Sequence, residues 1–415
     1  MSRAKRSLPL FEGMGVELEY MIVDRETLSV LPVADELLRA VAGKYADEIE
    51  QGPLSWSNEL ALHVVEVKTN GPVPTLSGLA GTFAGHVTRI NDLLRPLGGT
   101  LMPTGMHPWM DPVLETRIWP HQKRAIYESY HRIFDCRRHG FANLQSVHLN
   151  LSFHGDEEFA RLHAAVRFLL PILPAIAASS PVLDGRLTGL LDNRLEVYRN
   201  NQRQIPSIAG RVIPEAVHTR RQYRDRILRK LYRDIAPLDP GRVLRHEWLN
   251  SRGAIPRFER DTIELRILDT QECPRADIAV ISSVVTVLKA LAHGRLAPVA
   301  DLMDWEIEPL EEIFHSAMRE GERAEIRDAR YLEAFGLARR HCTAGELWAH
   351  LAETLMTGDT EVDRTAREVL NVIITRGTLA RRILRRVGET PSRENMERVY
   401  RELCDCLSEG RMFLS

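Results

Sequence analysis

Apolar and polar residues alternate in four separate stretches of the chain. A period of two is typical of a β-strand that buries one face. The pattern therefore predicts strands over residues 15–25, 59–69, 146–153 and 262–269. The last of these is the final convincing strand, because a helical pattern dominates the chain from residue 277 onward.

Other stretches repeat their apolar residues with the period of an α-helix. In the first part of the chain they predict helices over residues 33–46, 75–97, 122–138 and 157–179. In the last third they predict helices over residues 278–292, 362–375 and 392–407, with a capping box at Thr343 to Glu346. Residues 181–215 lack periodicity, and so long an irregular segment is usually functional or mobile, so we take 183–215 as a candidate lid.

These elements predict an α+β fold. We expect an α+β body over residues 1–295 and a helical region over residues 296–415. No linker-like segment separates the two regions, so we expect the helical region to pack on the body.

The predicted strands carry ionisable residues at alternate positions. Glu17 and Glu19 are two residues apart in the first strand, so both carboxylates lie on one face. The other strands carry Glu59, Glu66, His148, Asn150, Glu264 and Arg266. A sheet face of this composition is a poor core, but it is a good floor for a divalent-metal and phosphate site.

Glu59 and Glu66 do not fit one regular strand. They are seven residues apart, which places them on opposite faces of an uninterrupted strand. Both can serve one site only if Glu59 lies in the preceding turn or if a bulge intervenes.

Several carboxylates on one face repel each other unless a cation neutralises them. Their oxygen atoms suit Mg²⁺ or Mn²⁺, and a single histidine among them is less typical of zinc. The candidate metal ligands are Glu17, Glu19, Glu59, Glu66, His148 and Glu264. The sequence has no phosphate-binding glycine loop, so a nucleotide would be held by metals and by arginines such as Arg194, Arg257 and Arg266.

Composition narrows the class of protein. The chain has 415 residues, of which 44% are hydrophobic and 27% charged, as in a soluble globular protein. A net charge of −2 argues against a nucleic-acid partner. The apolar stretch at 166–182 is interrupted by Pro171 and Pro174 and is too short to span a membrane. Five cysteines without a C-x-x-C pair fit a reducing cytoplasm.

Six motifs in order give the chain a family resemblance from about residue 13 to residue 290. It resembles glutamate–cysteine ligase family 2 and related carboxylate–amine ligases. The motifs are Gly15-Val16-Glu17-Leu18-Glu19, Glu59 to Glu66 with Lys68-Thr69, Pro103 to Pro108, Val147-His148-Leu149-Asn150, Ser179-Ser180-Pro181 with Gly185, Thr188-Gly189 and Arg194, and Thr262 to Arg266 with Asp269.

The resemblance implies a glutamine-synthetase-like fold, in which an antiparallel sheet curves into a funnel with helices outside. It also implies ATP and two or three Mg²⁺ ions, with Mn²⁺ as an alternative, bound at the funnel floor by the acidic residues and His148. Arg266, Arg194, His148 and Asn150 would contact the nucleotide, and Arg266, Arg194 and Arg257 would act in catalysis.

The implied reaction turns a carboxylate, that of glutamate or a similar amino acid, into an acyl phosphate, which an amine then attacks. Two features depart from the family pattern: Glu59, where relatives carry Asp, and residues 199–202, where relatives carry aromatic residues. These departures leave the substrates open.

Alternative functions also stay open. The chain could be a non-catalytic nucleotide-binding or regulatory protein, or another phosphoryl-transfer or hydrolytic enzyme. Arg194 could instead anchor a loop. The basic run at 381–386 could be a solvated face or support a homodimer.

Overall fold

An eight-stranded antiparallel sheet lies at the centre of the protein. The computed structural model describes residues 7–414. The strands of these described residues, including two small two-stranded sheets, are β1 (Met14–Asp24), β2 (Glu48–Gln51), β3 (Leu54–Asn58), β4 (Val64–Thr69), β5 (Gly99–Met102), β6 (Ser146–Ser152), β7 (Val182–Leu183), β8 (Arg186–Leu187), β9 (Ala254–Arg257), β10 (Thr262–Asp269), β11 (Glu325–Ile326) and β12 (Cys342–Thr343). The order in the main sheet is β2-β3-β4-β1-β6-β10-β9, and β5 also pairs with β1.

Strand β1 organises the sheet because it has three partners. Its first half pairs with β6, its middle with β4 and its last four residues with β5. The side chains of Val16, Leu18 and Tyr20 are fully buried and belong to the main apolar core. The residues between them point to the other face of the sheet, where polar side chains collect.

Helices cover the apolar face and form most of the last third of the chain. They are α1 (Ala34–Ala42), α2 (Leu79–Leu94), α3 (Pro112–Glu115), α4 (Arg124–Phe134), α5 (His139–Ala142), α6 (Gly155–Leu169), α7 (Pro174–Ala177), α8 (Asn193–Arg199), α9 (Arg220–Tyr223), α10 (Arg229–Ile235), α11 (Pro274–Ala292), α12 (Val299–Met303), α13 (Ile307–Glu320), α14 (Ala329–Ala334), α15 (Ala344–Leu355), α16 (Glu361–Arg376), α17 (Leu379–Val387) and α18 (Arg393–Glu409). Short 3₁₀ or π segments continue several of them.

The predicted strand over residues 59–69 is wrong in its first half. Residues 59–63 form a turn, and β4 begins at residue 64. Strands β2, β3, β5 and β9 of the main sheet were not predicted. Every side chain of β3 is buried, although three of its five residues are polar, so alternation gives no signal there.

Proline explains the largest helix error. The predicted helix over 157–179 ends at Leu169, and a 3₁₀ turn with Pro171 and the short α7 beginning at Pro174 follow. Proline lacks the N–H that an α-helix interior needs. Helix α11 begins at Pro274, earlier than predicted, because proline is favoured in the first turn of a helix. The capping box at Thr343 is confirmed.

The C-terminal helices pack on the rest of the protein. Helix α16 lies against α11, and α18 lies against β5 and α2. The main apolar core includes residues from both regions, so the two share one interior. A division into two units at residue 295 stays a prediction. Within residues 7–414, no helix is long and apolar enough to cross a membrane.

Candidate active site

A cavity of about 510 Å³ opens above the polar face of the sheet. Six strands or their ends contribute its floor. The tenth predicted site residue, Asn150, is outside the lining and donates a hydrogen bond to Glu17. The other nine line the cavity: Glu17, Glu19, Glu59, Glu66, His148, Arg194, Arg257, Glu264 and Arg266.

The strand registers bring these residues together. Glu17 on β1 lies opposite His148 on β6, and Glu19 lies opposite Glu66 on β4. Residues that face each other across antiparallel strands project to the same side of the sheet. Strand β10 continues the same face, since Glu264 lies opposite Asn150. The predicted one-sided arrangement of the carboxylates is therefore what the sheet forms.

Two groups of possible metal ligands share one carboxylate. Glu17, Glu66 and His148 each offer a ligand atom, and these atoms lie within 4.8 Å of one another. Glu19, Glu59 and Glu66 form a second group of the same size. Because Glu66 belongs to both groups, these five residues could together hold two neighbouring divalent cations.

Glu59 reaches this site from a turn. It follows the last residue of β3 and precedes β4, so it is free of the strand alternation that would direct it away from Glu66. Of the two explanations considered for its spacing, the turn is the one that the structure contains.

Burial and mutual repulsion act strongly on the carboxylates. Burial, followed by the charges of Glu66 and Glu264, raises the pKa of Glu17 well above its usual range. Burial also raises the pKa of Glu19, and it raises that of Glu59 together with the charges of Glu19 and Glu66. A carboxylate in this state favours a proton or a cation as its neighbour.

Glu66 behaves differently because it has a permanent cationic partner. Burial alone would raise its pKa, but Lys68 and the hydroxyl of Ser57 outweigh burial and lower the pKa to about 2. The Nζ atom of Lys68 lies 2.9 Å from Glu66 and 3.1 Å from Glu48. The sequence reasoning missed the roles of Lys68 and Ser57. Lys68 alternates with Glu66 on β4 and could have been found from that spacing, whereas Ser57 lies on the unpredicted β3.

His148 is held between the two acidic residues of β1. Its Nδ1 lies 3.0 Å from Glu17, and its Nε2 lies 2.9 Å from the hydroxyl of Ser146. Ser146 in turn donates hydrogen bonds to Glu19 from its backbone N–H and from its hydroxyl. Burial lowers the pKa of His148, which favours the neutral imidazole that can bind a metal.

Glu264 belongs to neither group of three ligands. Its carboxylate lies between two arginines, with Nη1 of Arg257 at 2.9 Å and Nε of Arg266 at 3.1 Å. Burial would raise its pKa, but the charges of Arg266, His148 and Arg257 lower it. The structure thus pairs Glu264 with the predicted phosphate-binding arginines, and its role as a metal ligand stays a prediction.

Two other predicted residues act on neighbouring side chains. The amide of Asn150 donates a hydrogen bond of 3.0 Å to Glu17 and helps to orient it. Arg194 is 1% exposed and forms an ion pair with Asp269. This pair is what the loop-anchor alternative for Arg194 requires, yet Arg194 also lines the cavity.

One wall of the cavity is apolar and was not predicted. It consists of half-buried side chains from α4 and from the segments that face it, namely Ile126, Tyr127, Tyr130, Phe141, Leu144 and Trp248. The hydroxyl of Tyr127 accepts a hydrogen bond of 3.0 Å from Asn58, which precedes Glu59.

Lys123 and Arg260 also line the cavity, and neither forms an ion pair within the described residues. The candidate lid contributes Arg194, Tyr198, Asn201 and Gln202 to the lining, and its closure stays a prediction.

The donor set fits a hard divalent cation. It offers carboxylate oxygens and one imidazole nitrogen, and three of the carboxyl groups have raised pKa values that a cation would offset. The cysteines of the described chain are all buried and outside the cavity lining, which leaves no thiolate for a softer metal.

Comparisons with known proteins identify relatives of the chain. The chain is 31% identical to an uncharacterised protein of Archaeoglobus fulgidus, over 97% of this chain and 100% of that protein. It is 25% identical to a protein of Rubrobacter xylanophilus provisionally named glutamate–cysteine ligase 2-1, over 69% of this chain and 68% of that protein.

A solved structure shares the fold. It is a glutamate–cysteine ligase from Francisella tularensis in complex with AMP, with a TM-score of 0.64 and 9% identity over 97% of this chain and 90% of that one. The predicted fold class, an antiparallel sheet of the glutamine-synthetase-like type with outer helices and a helical C-terminal region, is confirmed. The sequence model of glutamate–cysteine ligase family 2 matches residues 13–402, so the chain belongs to that family.

Proposed function

We propose that this protein is an ATP- and Mg²⁺-dependent ligase that activates the carboxylate of glutamate, or of a similar amino acid, and joins it to an amine. The observation that carries the proposal is the pair of ligand groups that share Glu66 on the cavity floor. Family membership supports the same class of reaction. The substrates are small molecules, and a cytoplasmic location is part of the proposal.

The side chains of the floor divide into two tasks. Glu17, Glu19, Glu59, Glu66 and His148 would hold Mg²⁺. When bound, Mg²⁺ would neutralise charge on the phosphate oxygens during transfer of the γ-phosphoryl group.

Arg257 and Arg266 lie on either side of Glu264 and supply fixed positive charge beside the floor. Such groups stabilise charge that develops on the transferred phosphoryl group. Glu264 keeps both guanidinium groups in place. We propose the same electrostatic role for Arg194.

The upper part of the cavity suits the organic substrates. Lys123 and Arg260 form no ion pair within the described residues, and their positive charge favours a substrate with its own carboxylate. The aromatic wall of Tyr127, Tyr130 and Trp248 reduces the water around the reacting groups. Exclusion of water protects an acyl phosphate from hydrolysis.

The test is ADP release with ATP and Mg²⁺ across a panel of carboxylates and amines, with mass spectrometry of the products. The proposal expects ADP release that needs both a carboxylate and an amine, together with a product of the condensed mass. Glutamate is the first carboxylate of the panel, and cysteine is one amine among several.

The same experiment separates the other functions. Release of ADP with a phosphorylated substrate, or hydrolysis without an amine, would show another phosphoryl-transfer or hydrolytic enzyme. ATP binding without ADP release for any pair would support a nucleotide-binding protein without turnover. If ATP does not bind at all, the interpretation of the acidic floor is wrong.

A further inference from the structure

Asp269, the last residue of β10, is the centre of a buried hydrogen-bond cluster beside the cavity. Its carboxylate accepts hydrogen bonds from Nε of Arg194, from the backbone N–H of Ser179 at 2.9 Å and from the hydroxyl of Ser180 at 2.8 Å. The side chains of Asp269 and Arg194 are 0% and 1% exposed. The cluster therefore joins three separate segments of the chain without contact with solvent.

An irregularity in β10 turns Asp269 toward the cavity side of the sheet. Leu265 lies opposite Leu149 and Leu268 lies opposite Val147, so β10 holds one more residue than β6 over this stretch. Without the extra residue, positions 264 and 269 would project to opposite faces, because they differ by an odd number. With the extra residue, Asp269 faces Ser146 on the floor side.

Arg194 connects Asp269 to the cavity. Its Nη1 donates a hydrogen bond of 3.3 Å to the backbone carbonyl of Arg266, which lies in the irregular part of β10. Its Nη2 is buried and has no hydrogen-bond partner among residues 7–414. Arg194 lines the cavity, and a buried donor without a partner favours an acceptor supplied by a ligand.

The carboxylate of Asp269 has little room to move. A Cβ atom on Gly105 would lie 2.5 Å from its Cγ atom, so the loop at 103–106 packs directly against it. The backbone N–H of Gly105 also donates a hydrogen bond of 2.8 Å to the hydroxyl of Ser179. Asp269 is thus fixed from the loop side as well as from the side of Arg194.

We propose that Asp269 is a positioning residue for anion binding in the cavity. It holds Arg194 so that one guanidinium group fixes the carbonyl of Arg266 and keeps a second donor for an anionic ligand. This inference rests on the proposed function for the identity of the ligand, a polyphosphate. It adds a residue that touches neither metal nor substrate.

The chain contains a matched control. Arg382 and Glu272 form a second arginine–carboxylate pair in which both side chains are 0% exposed. This pair lies outside the cavity lining and is tied to the backbone of Phe413 near the C-terminus. Glu272→Gln and Asp269→Asn each remove one charge from a buried ion pair, so both variants should lose thermal stability.

The experiment measures the binding of tripolyphosphate in the presence of Mg²⁺ by isothermal titration calorimetry, and the unfolding temperature of each variant. We expect Asp269→Asn to weaken binding at least tenfold. Glu272→Gln should stay within about threefold of the wild-type protein. Equal weakening in both variants would show that loss of stability is the cause and would overturn the proposal, as would unchanged binding in Asp269→Asn.

Ser180→Ala tests the proposal if Asp269→Asn does not fold. It removes the hydroxyl that donates to Asp269 and that accepts the backbone N–H of Arg194 at 3.1 Å, without leaving a buried charge unpaired. We expect binding to weaken about threefold or more, and wild-type affinity in a folded Ser180→Ala protein would overturn the proposal. A wild-type protein that binds no tripolyphosphate would also overturn it.

The ADP assay distinguishes this inference from the proposed function. If tripolyphosphate binding depends on Asp269 but no substrate pair releases ADP, the positioning role stands and the ligase proposal fails. If ADP release is found and Asp269→Asn binds tripolyphosphate as the wild-type protein does, the ligase proposal stands and the positioning role fails.

Discussion

The two faces of strand β1 are made from alternating residues but have opposite chemistry, one apolar and one acidic. Val16, Leu18 and Tyr20 are fully buried in the main apolar core. Glu17 and Glu19, which alternate with them, have pKa values raised by burial and by neighbouring carboxylates. One face lowers the free energy of the folded state, whereas the other carries an electrostatic cost. Such a cost is what the proposed function expects of a face that binds cations.

The largest expected effect comes from the polar face. Glu17→Gln removes a carboxylate from one of the two ligand groups, and we expect a loss of ADP-forming activity of roughly 1,000-fold, about 4 kcal/mol in activation free energy. The unfolding temperature should stay the same or rise, because a buried like charge is removed. Steady-state kinetics and thermal unfolding check the two parts. Near-normal activity would show that the metal site is placed wrongly.

The matching substitution on the apolar face is Leu18→Ala. It should lower the free energy of unfolding by about 3 kcal/mol, since it leaves a cavity in the core. Urea unfolding measures this loss. Activity of the folded fraction at low temperature should stay within a few-fold of the wild-type value. A variant that loses activity but no stability would remove the contrast between the two faces.

Removal of metal should have a smaller effect on the free energy of unfolding, and this effect should depend on the polar face of the sheet but not on its apolar face. At a Mg²⁺ concentration 100 times its dissociation constant, binding to the folded state should raise the free energy of unfolding by about 2.7 kcal/mol. Chelation should reverse this gain. Leu18→Ala should keep the gain, whereas Glu66→Gln should lose it because Glu66 belongs to both ligand groups. An equal gain in both variants would contradict the assignment.

The effect that is smallest near neutral pH concerns a buried polar group that lies outside the cavity lining. Burial lowers the pKa of His63 to about 4, and its Nε2 lies 2.6 Å from the carbonyl of Ala142. Below pH 6.5, His63 binds a proton in the unfolded chain but not in the folded protein. The free energy of unfolding should therefore fall as the pH is lowered from 6.5 to about 4.

Urea unfolding of the wild-type protein and of His63→Gln across that range checks this expectation. In the variant, the slope of the free energy of unfolding against pH should be smaller by the contribution of about one proton. An unchanged slope would assign the acid sensitivity to other groups.

The sequence was sufficient for residues whose pattern is local. Alternation in β1, β6 and β10 predicted that Glu17, Glu19, His148 and Glu264 share a face, and the structure places all of them around one cavity. Strands β2 and β5 are only four residues long, too short for a clear period. The turn position of Glu59 was one of two stated possibilities, and only tertiary structure decides between them.

Other features depend on contacts that alternation does not contain. The sequence pattern does not reveal the extra residue in β10, because Ile267 and Leu268 are both apolar and both buried. The pairing of Arg194 with Asp269 joins positions 75 residues apart. The aromatic wall of the cavity comes from α4 and distant loops, so no local pattern identifies it.

The strand order also determines when the site can exist during folding. Glu17 and His148 are 131 positions apart, and Glu19 contacts Thr270 across 251 positions. Contacts of such sequence separation form slowly, because long segments must be ordered before the pairing compensates for their lost entropy. Until β10 takes its place beside β6, the acidic residues of β1 remain on a chain without their cationic neighbours Arg257 and Arg266. During synthesis, the acidic residues of the floor can therefore meet Arg257 and Arg266 only after β10 has left the ribosome.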